Sequence, residues 1–91
     1  MIRTGKRFLN EERVIIMMRH KIRLTPDEVN DFVAAASQCN FDIDIAYNRY
    51  AVDAKSIVGV LGLDFRQVLT VSYSGYNPDF EQFMQRLAVA C

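Results

Sequence analysis

The hydrophobic pattern of this chain changes period repeatedly along its length, and the order of the changes leaves few folds open. Ile16, Met18, His20, Ile22 and Leu24 alternate with Arg19, Lys21 and Arg23, the period-two signature of a half-buried strand. Thr25-Pro26-Asp27-Glu28 then predicts a helix start: a threonine able to cap, a proline at the first helical position and a glutamate placed to close a capping box. Val29, Phe32, Val33 and Ala36 follow at helical spacing. Phe41–Ile45 alternates again, and Asn48-Arg49 turns it into a partner strand around Tyr50–Val52. Ser56–Leu61 reads as a short helix stopped by Gly62, and Val68–Ser74 as a strand with Leu69, Val71 and Tyr73 inward. Asn77-Pro78-Asp79 starts a last helix that buries Phe80, Phe83, Met84 and Leu87.

The resulting order, β-α-β-β-α-β-α, predicts an α+β open-faced β-sandwich: a four-stranded antiparallel sheet with three helices on one face. Ninety-one residues leave room for one hydrophobic core. The patterned domain spans residues 16–91. Residues 1–15 lack a clear period and are expected to be an N-terminal extension.

Composition and charge exclude several classes. Net charge is zero, which argues against a dedicated nucleic-acid binder, although the first 24 residues hold seven cations against Glu11 and Glu12. Two cysteines, Cys39 and Cys91, suggest neither a disulfide framework nor a metal cluster. The apolar run Val14–Met18 is too short to span a bilayer, so no membrane partner is expected. Asn10-Glu11-Glu12-Arg13 interrupts any signal-peptide core, and a reducing, cytoplasmic setting fits the chain best.

No set of residues forms a catalytic constellation. His20, the single histidine, falls in the inward phase of its strand with no Cys, Asp or Glu at metal-ligand spacing, which reads as a tolerated core or edge histidine. Asp42 and Asp44 share a strand face, where solvation explains them without acid–base chemistry. Cys39 reads as packing at the end of the first helix. No metal and no cofactor are expected.

The segment Val52-Asp53-Ala54-Lys55-Ser56-Ile57-Val58-Gly59-Val60-Leu61 resembles the strand-to-helix corner of HPr, the small phosphocarrier of the sugar phosphotransferase system, where the family wording is V-N-A-K-S-I-M-G-V-M. Ala35-Ala36-Ser37 ahead of an alternating strand resembles the end of that family's first helix, and the likeness covers about residues 16–89. The linker Asp64–Val68 is shorter than usual and lacks the customary glycine. The family's phosphoryl-accepting histidine lies in a G-[IL]-H-A-R-P motif. Counting back from Ser56 without gaps places Thr25 at that position, with Asp27 and Glu28 where the family has arginine and proline. A threonine hydroxyl would form a stable ester rather than a high-energy phosphoramidate, and the two acids would repel phosphate.

The resemblance therefore implies a regulatory or adaptor protein without histidine phosphotransfer, a binding module rather than an enzyme. Its partners would be proteins: phosphotransferase-system or transcriptional regulators, with an HPr kinase among them. In the Gram-positive branch the serine of K-S-I is phosphorylated by that kinase, which singles out Ser56. Ser56 also reads as the cap of the second helix, and the two roles are compatible. Lys55, Ile57, Val58 and Leu61 fall on the family's docking surface. The competing reading is core packing, which must claim Ile57 or Val60. An active phosphocarrier is a further reading, for which the sequence offers no suitable acceptor.

The alternative from another class is an RNA- or other nucleic-acid-binding α+β domain using Arg19, Lys21 and Arg23 on the open sheet face. With the family's strand order that face would run from a basic row through Thr70 and Ser72 to Asp42 and Asp44, without an aromatic stacking platform. It ranks well below the protein-binding reading. Whether the protein is a monomer or a dimer is open, since the extension could pair with the sheet edge.

Overall fold

β1 (Met18–Ile22) and β2 (Ile43–Tyr47) both pair antiparallel with β4 (Leu69–Tyr73), so the last strand in sequence lies inside the sheet. β3 (Tyr50–Asp53) returns from β2, giving the order β1-β4-β2-β3. The computed structural model describes residues 17–89. The expected extension over residues 1–15, together with Ile16 and Cys91, lies outside them.

The alternation in each strand sets the two faces. In β4, Leu69, Val71 and Tyr73 are buried, whereas Thr70 and Ser72 are half-exposed. Ile22, Ile43 and Ile45 complete the inner face. The β2–β3 hairpin turns at Asn48, whose φ of 52° is the left-handed conformation that asparagine tolerates.

The helices α1 (Val29–Ser37), α2 (Ile57–Leu61) and α3 (Pro78–Leu87) all contribute to the core on that face. α1 buries Val29, Phe32, Val33 and Ala36, the stripe expected from its spacing. α2 contributes Val60, which is fully buried. α3 buries Phe80 and Met84, with Phe83 and Leu87 half-buried at the margin. The side chains of Phe32 and Phe80 interlock with ring centroids 6.4 Å apart. Burying a side chain of this size contributes roughly 1.5–3 kcal/mol.

The start of the first helix departs from expectation. Pro26–Glu28 forms a single 3-10 turn, and α-helical bonding begins at Val29. The Glu28 carboxylate accepts the Thr25 amide at 2.9 Å, the glutamate half of a capping box. The Glu28 amide meets the Thr25 side chain, which completes the expected box, and is shared with the Thr25 carbonyl at 2.9 Å because the turn is tight.

Candidate functional site

Three positions bear on function: the entrance to α1, the single histidine, and the corner that leads into α2. At the first, Leu24 is buried and fixes the chain as it leaves β1, so the next residue, Thr25, is exposed on extended backbone at φ −103° and ψ 158°. Asp27 and Glu28 occupy the first turn. An approaching anion meets two carboxylates there, and the Thr25 amide already holds one of them.

His20 sits mid-strand in β1 with its ring inward, as its phase predicts, but it is not simply packed. Its Nε2 lies 2.9 Å from the Tyr73 hydroxyl and 3.3 Å from a carboxylate oxygen of Glu81. The Tyr73 hydroxyl donates a short hydrogen bond to the other Glu81 oxygen. Because the phenol proton goes to Glu81, the phenol oxygen accepts from Nε2–H, which fixes where the imidazole carries its proton. Burial and the Glu81 carboxylate push the Tyr73 phenol above its ordinary range. The rings of Phe41 and Phe80 pack on Tyr73 at centroid distances of 5.5 and 5.3 Å. Sequence reasoning missed Tyr73 and Glu81 as partners of His20. Its search stayed local, whereas the partners come from β4 and from the first turn of α3.

Near this network, Cys39 is buried just beyond α1, and desolvation raises its thiol pKa. The Lys55 ammonium donates to the Cys39 carbonyl at 2.9 Å, placing a cation just beyond the C-terminal end of α1. Lys55 is thus engaged within its own chain.

At the third position Ser56 is the N-cap of α2. Its Oγ accepts the Gly59 amide at 3.1 Å, and its carbonyl accepts the Val60 amide at 2.9 Å. A Cβ on Gly59 would lie 3.2 Å from Val52 Cβ and 3.3 Å from Ser56 Oγ, so glycine lets this helix lie close to β3. Core packing claims Val60. Val58 is 79% exposed, Leu61 54% and Ile57 40%. Tyr50, also exposed, reaches this surface with its hydroxyl 3.5 Å from the Cβ that Gly62 would carry.

The open sheet face carries Arg19 and Lys21 in β1, then Thr70 and Ser72, then Asp44, with no aromatic side chain among its strand residues. The Arg23 guanidinium donates to the Arg66 carbonyl at 2.8 Å, so that cation is anchored at the loop before β4. Among the described residues no group of three or more His, Cys, Asp or Glu could hold a metal ion. No described helix is long and apolar enough to cross a membrane.

Comparison with known proteins places this geometry. A family model described as the PTS HPr component phosphorylation site matches residues 12–91. Among solved structures the chain is similar to a phosphocarrier protein HPr from Bacillus anthracis str. Ames, at 24% identity and a TM-score of 0.57, over 84% of this chain and 95% of that one. It is also similar to HPr-C-His from Thermoanaerobacter tengcongensis, at 25% identity and a TM-score of 0.50, over 80% of this chain and 84% of that one. No curated protein matches the chain.

Proposed function

The chain belongs to the HPr family of the phosphotransferase system, and from that premise we propose that it is a regulatory or adaptor member that binds proteins and does not carry phosphate on histidine. What supports this reading is the entrance to α1, where Thr25, the residue that an ungapped count from Ser56 aligns with the family histidine, is exposed and the Glu28 carboxylate holds its amide. The one histidine of the chain is engaged elsewhere, between Tyr73 and Glu81. A ring nitrogen bound in that way is a poor phosphoryl acceptor, since accepting would break the network. Incubation with phosphoenolpyruvate and the system's first enzyme should leave the chain unlabelled. Acid-labile, hydroxylamine-sensitive phosphate on the protein would overturn the reading.

Control at Ser56 is the second part of the proposal. Phosphate there adds about −1.5 to −2 charge beside exposed Ile57, Val58 and Leu61, changing the surface a partner reads. With the Lys55 ammonium on the Cys39 carbonyl, docking falls mainly to those three apolar side chains. Treatment with an HPr serine kinase and ATP should place one phosphate on Ser56, located by mass spectrometry. An unmodified Ser56 after that treatment reduces the residue to a helix cap, whatever the result of the first experiment.

A further inference from the structure

The open face of the sheet is sorted by charge. In register across β1, β4, β2 and β3, one row runs Arg19, Ser72, Asp44, Asp53 and the next Lys21, Thr70, Ala46, Ala51. Cations line one edge, carboxylates gather toward the other, and small side chains lie between. Asp44 and Asp53 stand directly opposite each other, an arrangement that destabilises a strand pair. No ion pair among the described residues offsets it, since those are His20–Glu81 and Asp64–Arg66. Arg19 and Lys21, both exposed, are likewise without an ionic partner among the described residues. The fold asks only that this face be polar, not that it be sorted.

We infer that this face docks a second copy of the chain, sheet against sheet, about a two-fold axis parallel to the strands. Such an axis exchanges the two edges, so β1 of one copy lies over β3 of the other. Arg19 then lies over Asp53 of the second copy, with Lys21 over Ala51 and Ser72 over Asp44 beside it, and the reciprocal contacts form at the opposite edge. One operation brings the cationic edge of each copy over the acidic edge of the other, while the small side chains Ser72, Thr70, Ala46 and Ala51 allow close approach. A uniformly acidic partner, nucleic acid included, would match the cations and be repelled by the aspartates; a basic partner would meet the reverse problem. Strands of about five residues at about 3.3 Å per residue and about 4.8 Å apart give a face of roughly 300 Å² per copy. That is well under the roughly 800 Å² per partner of a standard interface, so the dimer is weak and screened by salt.

Sedimentation of the full chain from about 10 μM to 1 mM, at about 20 and 500 mM NaCl, tests this. The wild type should dimerise at low salt and bind itself roughly tenfold or more weakly at high salt. Arg19→Glu/Lys21→Glu and Asp44→Lys/Asp53→Lys should each be monomeric, and an equimolar mixture should dimerise, since each reversed row then meets its opposite. Because the Asp53 carboxylate also accepts the Lys55 amide at 2.9 Å, Asp44→Lys alone serves as the variant that spares that turn. Circular dichroism establishes that each variant is folded. A wild type monomeric throughout at low salt overturns the inference, whatever other molecule the face captures. So do folded variants that dimerise like the wild type, or a mixture that stays monomeric.

Discussion

The imidazole of His20, on the first strand, and the carboxylate of Glu81, in the last helix, face each other at 3.3 Å with the Tyr73 hydroxyl bonded to both. The network ties β1, β4 and α3 together at a half-buried position. Removing one member strands the others, which costs more than the bond itself is worth. Glu81→Gln and His20→Gln should each lower stability by roughly 1–3 kcal/mol in urea denaturation. The double variant should fall short of the sum, because the two share one network. Additive losses would show that His20 and Glu81 act independently.

Tyr73 gives the network a pH signature. Its folded pKa is raised, chiefly by burial and then by Glu81. Its contribution to stability is therefore fully present below the unfolded value of about 10 and is lost as pH rises through the folded value. Absorbance titration should show one phenol ionising late, together with alkaline unfolding, and Tyr73→Phe should remove that late step. A wild type and a Tyr73→Phe variant with superimposable late titration would contradict the assignment.

The α1 entrance separates two capping arrangements. The Glu28 carboxylate alone takes the Thr25 amide, whereas the Glu28 amide is shared between the Thr25 side chain and the Thr25 carbonyl. Glu28→Ala should therefore cost roughly 0.5–1 kcal/mol, and Thr25→Ala less than that. Chemical denaturation decides the order, and a larger loss at Thr25 would restore the hydroxyl as the principal cap.

Gly75 is where the Phe41 ring closes on the chain after β4. A Cβ there would run into the Phe41 ring, which is stacked on Tyr73. Gly75→Ala should destabilise by roughly 1–3 kcal/mol through overpacking. Adding Phe41→Leu should recover part of the loss, because a smaller side chain yields the space. No recovery would place the strain elsewhere than at the ring.

The element order was legible in the sequence because it rests on local rules. Alternation in residues 18–22 and 69–73, Asn77 and Ser56 as caps, and Asn48 at the hairpin each act within a few residues, and each is present in the structure. That α2 leaves some apolar side chains outside also follows, since a five-residue helix cannot bury every one it carries, but the choice of Val60 over Ile57 as the inward member came from the packing. The Ser56 corner was legible too, because it is a contiguous segment.

What required the tertiary structure was every relationship that spans the sheet. His20 finds Tyr73 and Glu81 only because β4 inserts beside β1 and α3 returns across the inner face. The Asp44–Asp53 opposition depends on the hairpin register, and the charge sorting of the open face depends on strand order. Lys55 falls on the family's docking surface in sequence, and its hold on the Cys39 carbonyl appears only once α1 ends against that corner. Hydrophobic period and capping chemistry act over single turns and strands, so the sequence determines elements and faces. Pairing across the sheet is decided by how those faces pack together, and the polar contacts follow from it.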